Sequence, residues 1–423
     1  MDRSSDNAVG YLVSSYPAVS NTFIMREVRG LREAGATVST YSIRRAPPEQ
    51  VRSDVDLDEF DSTEFLLPVA AATLLWVHLR YLVRHPGAYL GTLAKALKWA
   101  PGGPRSVLWQ AFYFAEAVLL FDSCRRRGLH RVHAHFANVA SDVAWLAAEL
   151  GRAVAPGDDW GWSFTMHGPT EFFATQRFNL RRKVEAAGTV LCISEFCRSQ
   201  LMMLVDSEHW TKLHVAHCGV DPVLFSPRER VEEGDGACVV LSVGRLAPVK
   251  GQIVLVEAVA QLAARGLPVR LRLVGDGPSR ERLEQLVSEL GLGEAVEFLG
   301  AVGQDRLPDL FRQADVFCLP SFAEGVPVVL MEAMATAVPV VASPVGGIPE
   351  LVDDGVSGIL VPPGRADLLA DALARLVASP ELRRTLGAEG RKVVEAEFDI
   401  RECVTRVGEL LGILDPQAKG QGT

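Results

Sequence analysis

Short apolar runs alternate with amphipathic stretches along almost the whole sequence, and this alternation limits the folds open to it. The runs with the length and apolar content of buried strands are Val9–Val13, Val38–Ile43, Arg131–His135, Ser163–His167, Thr189–Ile193, Cys238–Val243, Leu271–Val274, Val296–Leu299, Val316–Leu319 and Val338–Ala342. Helical patterns such as Ile253–Arg265 and Ser279–Leu290 lie between them. Strands that alternate with helices form parallel sheets covered by helices on both faces. The sequence therefore predicts an α/β fold.

A stretch rich in glycine, proline and charge, His217–Gly236, divides this pattern into two halves. The chain of 423 residues is too long for one domain, because domains average about 150 residues. We expect one α/β domain in residues 1–217 and a second in residues 218–396. Ligands of open α/β sheets bind beyond the carboxyl ends of the strands. Two such domains facing each other would place the site in the cleft between them.

Composition excludes several classes of protein. A net charge of −9 argues against a nucleic-acid partner. The opening residues do not resemble a secretory signal. The longest clean apolar run, Leu66–Val77, is shorter than the roughly 20 residues that span a bilayer. The seven cysteines are scattered without a C-x-x-C pair, so we expect small buried side chains rather than zinc ligands or disulfides. These features indicate a soluble cytosolic protein.

The motif Ser321–Ala335 follows a strand pattern that ends at Leu319. Its first part, Ser321–Val326, is typical of the turn at the carboxyl end of a strand. Pro327 suits the first position of a helix, where its missing N–H is no loss. A helix that begins there directs free N–H groups and a partial positive charge at the site, which favours a phosphate ligand.

Two glutamates belong to this motif. Glu324 lies in the turn, and Glu332 lies within an otherwise apolar helix. A buried carboxylate is costly unless it is hydrogen-bonded, and the hydroxyls of a ribose would satisfy it. The alternative is that Glu324 caps the helix and Glu332 is half-buried by chance.

A second motif, Val243–Gly251, directly follows the first strand of the second domain. A glycine turn at Gly244 lets the backbone approach a ligand, and Arg245 and Lys250 place two cations at its mouth. The motif is not a Walker loop, because G-x-x-x-x-G-K-[ST] is absent. The alternative is a solvated basic loop.

The segment Leu273–Arg280 resembles part of a dinucleotide-binding fingerprint. Gly275 and Gly277 are present, but Arg280 replaces the third glycine, and the segment does not follow the first strand of a fold. This argues against an NAD site. We interpret the segment as a tight turn with a structural role.

The first domain offers histidines as candidate site residues. His167 ends a strand pattern and is followed by glycine, which favours a functional role over a purely structural one. His133 and His135 occur two residues apart on another strand. Such a pair can bind metal, but no pattern for a third ligand supports that interpretation.

The segment Val69–Arg127 contains no strand pattern and predicts a helical insert. Between Glu64 and Glu116 there is no acidic residue. The basic and aromatic residues in this interval include Arg80, Arg84, Lys95, Lys98, Arg105, Trp76, Tyr81, Tyr89, Trp99, Trp109 and Tyr113. One interpretation is a surface that faces an anionic membrane. The other is that the aromatics are core and the cations merely solvated.

These motifs together resemble the family-4 retaining glycosyltransferases, which have the GT-B architecture of two Rossmann-like domains. The resemblance is densest over Cys238–Pro363, where GRLAPVKG, LVGDGP, SFAEGVPVVLMEAMATAVPVVAS and GGIPELV occur in the family's order. It extends to CISEF and AHCGVDPVLF in the first half. The opening YLVSSYPAVSNTFIMREV looks like the branch that builds exopolysaccharides, including the colanic-acid type.

The resemblance implies roles for particular residues. Arg245 and Lys250 would neutralise the donor diphosphate, Glu332 would bind the ribose, and Glu324 and His167 would contact the sugar. The residues implied to bind the donor are Gly244, Arg245, Lys250, Phe298, Gly300, Val302, Glu324, Gly325, Val326, Pro327 and Glu332. The implied catalytic residues are His167, Glu324, Arg245 and Lys250. Ser20, Asn21, Thr22 and His135 would form the loop facing phosphate or acceptor. Residues 397–423 would form a helix returning to the first domain, then a tail.

The reaction implied by the resemblance is retaining transfer of a hexose-type sugar from a nucleotide-sugar. UDP is favoured over GDP, and the acceptor would be a glycan or polyprenyl-diphosphate-linked glycan in polysaccharide biosynthesis. We expect no metal and no cofactor, with the nucleotide-sugar as co-substrate, in the cytoplasm or at the inner face of the cell membrane. The alternatives are a nucleotide-sugar epimerase, a glycoside phosphorylase and a non-catalytic sugar-nucleotide binding protein.

Overall fold

The computed structural model describes residues 7–18, 21–47, 54–227 and 236–415. The chain divides into two compact units. Unit 1 comprises residues 1–217 and 404–423, and unit 2 comprises residues 218–403.

Unit 1 is built around a parallel sheet of seven strands in the order β3-β2-β1-β4-β5-β6-β7. The strands are β1 (Ala8–Ser15), β2 (Thr37–Arg44), β3 (Glu64–Leu67), β4 (Arg131–His135), β5 (Gly161–Met166), β6 (Thr189–Cys192) and β7 (Leu213–Val215). The helices are α1 (Thr22–Glu33), α2 (Asp54–Ser62), α3 (Ala71–Arg84), α4 (Pro86–Lys98), α5 (Pro104–Arg126), α6 (Val139–Val154), α7 (Leu180–Ala186) and α8 (Glu195–Leu204).

Unit 2 repeats this architecture with six parallel strands in the order β10-β9-β8-β11-β12-β13. Its strands are β8 (Cys238–Val243), β9 (Val269–Val274), β10 (Val296–Gly300), β11 (Val316–Leu319), β12 (Val340–Ala342) and β13 (Ile359–Leu360). Its helices are α9 (Gln252–Ala264), α10 (Arg280–Glu289), α11 (Leu307–Arg312), α12 (Val328–Ala335), α13 (Ile348–Leu351), α14 (Ala366–Ala378) and α15 (Pro380–Glu397). The final helix, α16 (Ile400–Leu410), crosses from unit 2 into unit 1.

The α/β prediction with two Rossmann-like domains is confirmed. Strands β3, β7 and β13 were not predicted from the sequence, and one physical reason explains all three. Each lies at an edge of its sheet and has between two and four residues. A short edge strand has few positions to bury, so it leaves little hydrophobic pattern.

The second half of α16 and the turn after it pack within unit 1. Gly30 of α1 lies so close to Val404 of α16 that a Cβ added at Gly30 would sit 2.9 Å from Val404 Cγ2. The Arg131 guanidinium donates to the carbonyl of Gly412 at 2.9 Å. The beginning of α16 belongs to unit 2, where the Ile400 N–H donates to the Val220 carbonyl at 3.0 Å.

The insert between β3 and β4 consists of α3, α4 and α5, and its aromatic residues divide into two groups. Tyr81 is buried, and Trp99 stacks on Trp145 of α6 with ring centroids 3.5 Å apart. Tyr89 and Tyr113 are half-buried against the same core. Trp76 and Trp109 are exposed instead, with Trp76 at 60%. The core interpretation therefore holds for the first group and fails for the two tryptophans.

Helix α5 is the one helix in the described part of the chain that is long and apolar enough to cross a bilayer by length and composition. In the structure 56% of its most apolar window is buried. It packs against α6 beneath the sheet, as a core helix does. All seven cysteines are buried, which confirms the expectation of small buried side chains.

Candidate active site

The strand order of unit 2 places its site. Strands β8 and β11 are neighbours in the sheet, with Val240 opposite Val316, although β9 and β10 lie between them in sequence. The connections from these two strands lead away in opposite directions, which opens a crevice at their carboxyl ends. Gly244 follows β8 and Ser321 follows β11. The two motifs with the most chemistry therefore end at the same crevice.

A salt bridge joins these motifs across 74 positions of sequence. Lys250 Nζ donates to Glu324 Oε1 at 2.7 Å. Ser321 Oγ donates to the same oxygen at 2.6 Å. Both contacts fall on Oε1, so the other carboxylate oxygen of Glu324 is left to accept from a ligand. Of the two cations predicted at the mouth of this loop, Lys250 is paired with Glu324 and Arg245 is exposed.

The backbone around Lys250 fits closely against the β11 loop. Gly251 has a φ of +67°, and a Cβ there would lie 2.0 Å from the Pro320 carbonyl oxygen. The Phe322 N–H donates to the Val249 carbonyl at 2.8 Å. Only glycine fits at residue 251, and the two loops therefore hold Lys250 and Glu324 in register.

Helix α12 begins one residue later than predicted. Pro327 has an extended ψ of 118° and occupies the N-cap rather than the first helical position. Its carbonyl accepts from the Leu330 N–H at 3.0 Å. Gly325 and Val326 precede it, and the Gly325 carbonyl accepts from the Gly347 N–H at 2.8 Å. The start of α12 still lies at the carboxyl edge of the sheet, as a phosphate site needs.

Glu332 is almost completely buried within α12, with 1% of its surface exposed. The residues around it on the helix, including Met331 and Ala333, are equally buried. The expectation of a carboxylate enclosed in an apolar helix is met.

The remaining donor-site candidates lie at the ends of β9 and β10. Phe298, Gly300 and Val302 are half-buried there, and the Arg280 guanidinium lies 5.7 Å from the centre of the Phe298 ring. A Cβ at Gly275 would lie 2.0 Å from the Gly244 carbonyl oxygen. This close packing of β8 and β9 loops gives Gly275 the structural role predicted for it.

Unit 1 contains a buried cluster of polar side chains beneath α1. His133 lies between Ser163 and Thr165, with its ring nitrogens 2.8 and 2.9 Å from their hydroxyl oxygens. The cluster arises because residues two apart on a strand face the same side of the sheet. His133 and His135 on β4 thus meet Ser163 and Thr165 on β5, and all four are in register.

His167 is joined to this cluster through His135. The distance from His135 Nδ1 to His167 Nε2 is 3.0 Å. The other ring nitrogen of His135, Nε2, lies 3.5 Å from Glu27 Oε1. The Tyr11 hydroxyl donates to that same oxygen at 2.8 Å. The His167 ring packs between Phe23 and Phe136, each with its centroid 4.7 Å away.

Burial sets the protonation of this cluster. It lowers the pKa of His167 to about 3. It also lowers the pKa of His133 to about 3, and the charge of the neighbouring His167 adds to that effect. It holds the pKa of His135 well below its ordinary value, with the charges of His133 and His167 adding to the effect. Burial also raises the pKa of Glu27 to about 7, against the hydrogen bond from Tyr11. The three histidines are therefore neutral near pH 7.

Glu27 was not predicted as a site residue, although the sequence contained a signal for it. Glu27 lies on the buried stripe of α1 between Ile24 and Leu31, where a carboxylate is unexpected. Ligand atoms of Glu27, His133 and His135 lie within 4.8 Å of one another, a spacing that could hold a metal ion. Both ring nitrogens of His133 are already hydrogen-bonded, so an ion would have to displace one of those bonds.

A buried lysine, also missed, fixes the loop after β4. Lys183 is fully buried, and its Nζ donates to Asp142 Oδ2 at 2.7 Å and to the carbonyls of Ala137 and Asn138. The loop begins with Phe136 at a φ of +70°, a conformation that non-glycine residues seldom adopt. Lys183 therefore holds in place the turn that carries Phe136 against His167.

The predicted phosphate loop of unit 1 is described in part. Ser20 lies outside the described residues. Asn21 Nδ2 donates to the Ser15 carbonyl at 3.2 Å, and Thr22 is the buried first residue of α1. Both lie at the carboxyl end of β1, next to β4 and His135 in the sheet.

Comparison with known proteins relates this architecture to one family. A family model described as "Glycosyl transferases group 1" matches residues 227–393. The chain is 31% identical to a D-inositol 3-phosphate glycosyltransferase of Kribbella flavida, covering 65% of this chain and 69% of that protein. It is 32% identical to a GDP-mannose-dependent α-(1-6)-phosphatidylinositol monomannoside mannosyltransferase of Mycolicibacterium smegmatis, covering 67% and 77%.

Two further similarities extend over most of the chain. A putative colanic acid biosynthesis glycosyltransferase, WcaL of Salmonella typhimurium, is 29% identical over 86% of this chain and 89% of that protein. Among solved structures, Anabaena HepE in complex with UDP is similar with a TM-score of 0.72 and 19% identity, covering 96% of this chain and 99% of that one. The latter similarity shows a shared fold.

Proposed function

Because the chain belongs to the group 1 glycosyltransferases of GT-B fold, we propose that it transfers a hexose-type sugar from a UDP-sugar with retention of configuration. The acceptor is a glycan or a polyprenyl-diphosphate-linked glycan in polysaccharide biosynthesis. The observation that carries this proposal is the pairing of Lys250 with Glu324 at the crevice of unit 2, beside the start of α12.

Leaving-group stabilisation is the main chemical task. Cleavage of the sugar–phosphate bond leaves negative charge on the diphosphate while positive charge develops on the sugar. A lysine ammonium has three donors, so Lys250 can keep Glu324 and still bind a phosphate oxygen. Arg245 and the N–H groups at the start of α12 supply further positive potential, and preorganised donors of this kind are each worth about 3–4 kcal/mol. This arrangement needs no metal ion.

The two glutamates bind different parts of the donor. Glu332 binds the ribose hydroxyls, which compensate for the burial of its carboxylate. Glu324 accepts from a hydroxyl of the transferred sugar through the oxygen that Lys250 and Ser321 do not use. Lys250 and Ser321 fix the position of the Glu324 carboxylate before the donor binds, so binding costs little side-chain entropy.

His167 acts as a neutral hydrogen-bonding group on the transferred sugar. With a pKa of about 3 it is too weak a base to take the acceptor proton near pH 7. The departing phosphate then takes the proton of the acceptor hydroxyl on the same face of the sugar. This same-face substitution retains the configuration of the sugar.

Similar proteins support the choice of substrates. HepE is named as a complex with UDP, which favours UDP. The mannosyltransferase relative is named as GDP-mannose-dependent, so GDP-sugars belong in the test. The WcaL similarity favours an acceptor from polysaccharide biosynthesis.

The test is transfer from UDP-glucose, UDP-galactose or GDP-mannose to a synthetic polyprenyl-diphosphate-linked sugar. We expect product with one of the UDP-sugars, and its anomeric configuration by NMR should match that of the donor. An inverted product would refute the same-face mechanism. A reaction of donor alone that yields its epimer would favour an epimerase instead.

A further inference from the structure

The outer face of α3 is unusually apolar for a surface helix. Leu75, Trp76, Leu79 and Val83 are all exposed, with Leu75 and Val83 at 69%. Their spacing of one, four and eight residues places them on one side of the helix. The opposite side, with Tyr81, is buried in the core of unit 1. Helix α3 is therefore apolar on both sides, and packing among the residues that the structure describes covers only one of them.

The neighbouring helices of the insert continue this surface. Leu90 and Leu97 of α4 are exposed at helical spacing. Leu108 and Phe112 of α5 are exposed one turn apart, with Trp109 beside them.

The three helices of the insert pack against one another. His78 of α3, for example, lies 6.3 Å from Phe114 of α5, ring to ring. The exposed apolar residues of these packed helices are together called the apolar face, defined here as Leu75, Trp76, Leu79, Val83, Leu90, Leu97, Leu108, Trp109 and Phe112.

The exposed charged residues of α3, α4 and α5 are all basic. Arg84, Lys98 and Arg105 are exposed on the same three helices, and no acidic residue occurs between Glu64 and Glu116. Two other cations of the insert are neutralised within the chain, because Arg80 pairs with Asp122 and Lys95 with Glu149.

We propose that this apolar face binds the surface of an anionic lipid bilayer. Leucine, phenylalanine and tryptophan side chains would enter the boundary between headgroups and acyl chains, where tryptophan is favoured. The three exposed cations would meet anionic headgroups. A second copy of the chain fits less well, since a symmetric contact would bring the same cations together. This binding is independent of the proposed reaction.

The experiment is co-sedimentation of the full chain with vesicles of phosphatidylcholine alone or with phosphatidylglycerol. We expect binding to the anionic vesicles that weakens at high salt. Replacing Arg84, Lys98 and Arg105 together by Gln should lower the partition coefficient about 100-fold, at roughly fivefold for each cation. The variant W76Q/L79Q/L108Q/F112Q should lose binding to the anionic vesicles.

Matched controls test whether the loss of binding is specific to this face, by removing exposed apolar or basic side chains at other positions. Phe173→Gln with Met203→Gln removes exposed apolar side chains elsewhere in unit 1, and Arg29, Arg152 and Arg181 to Gln remove exposed cations outside α3, α4 and α5. Both controls should bind vesicles as the unmodified chain does. UDP affinity by calorimetry should stay constant in every variant, so a failure of the proposed reaction would be seen separately.

Three results would overturn the proposal. The unmodified chain could fail to sediment with anionic vesicles, or the apolar-face variant could bind as well as its control. Sedimentation velocity could instead show a dimer that the apolar-face variant dissociates, which would assign the face to a second copy.

Discussion

Replacing Glu27 by glutamine removes a titrating group from the buried cluster of unit 1 while preserving its shape. Glutamine Oε1 can still accept the hydrogen bond from Tyr11. Burial raises the pKa of Glu27 from 4.5 to about 7, so the protonated form is favoured by folding. The stability that this gives is fully present below pH 4.5 and is lost as the pH rises through 7.

The magnitude follows from this shift. Between pH 5 and pH 8 the ionisation of Glu27 should cost the folded protein about 2–3 kcal/mol. Glu27→Gln does not have that cost. Its free energy of unfolding, relative to the unmodified chain, should therefore increase by about 2–3 kcal/mol over the same interval.

Denaturant unfolding followed by tryptophan fluorescence measures this difference in unit 1 alone. All seven tryptophans belong to unit 1, between Trp76 and Trp210. Glu208→Gln, at an exposed glutamate of the same unit, is the control and should show no such trend. The free energies of unfolding of Glu27→Gln and the unmodified chain could instead differ by an amount that stays constant with pH. This would show that Glu27 is charged in the folded state, and it would refute our account of the cluster.

Further predictions concern the core of unit 1 and the donor site. Lys183→Met should destabilise unit 1 by about 3–5 kcal/mol in the same fluorescence assay, because it leaves Asp142 buried and uncompensated. An effect below 1 kcal/mol would contradict this. Glu332→Gln should weaken affinity for free UDP, whereas Glu324→Gln should spare UDP affinity and impair transfer; equal weakening in calorimetry would show that these roles are wrong. Transfer activity should survive EDTA, and its complete loss with recovery on adding a divalent cation would refute metal independence.

Much of the donor site in unit 2 could be predicted from the sequence, because its chemistry lies in short segments. Gly244 and Ser321 each follow a strong strand pattern, and parallel strands end at one edge of a sheet. That Lys250 bonds to Glu324 could not be predicted, since such a contact depends on how two loops pack. The predicted start of α12 was wrong by one residue, because the proline at 327 is compatible with both the N-cap and the first helical position.

The polar cluster of unit 1 was harder to predict. His167 and His135 were singled out as separate candidates, and their contact follows from strand register, which the sequence does not specify. Lys183 looks like any surface lysine until the fold buries it beside Asp142. In α3 the apolar residues surround the helix, so periodicity could not tell the buried side with Tyr81 from the exposed side with Trp76.

The central claim is that Lys250 and Arg245 hold the diphosphate of the donor in unit 2. Calorimetric titration with UDP and with uridine tests it most directly, using Lys250→Ala and the control Lys392→Ala, which removes an exposed lysine of α15. Loss of one charge-assisted hydrogen bond should cost about 1.5–3 kcal/mol. We predict that Lys250→Ala raises the Kd for UDP at least tenfold and leaves that for uridine unchanged, while Lys392→Ala changes neither. An unchanged Kd for UDP in Lys250→Ala would contradict the account.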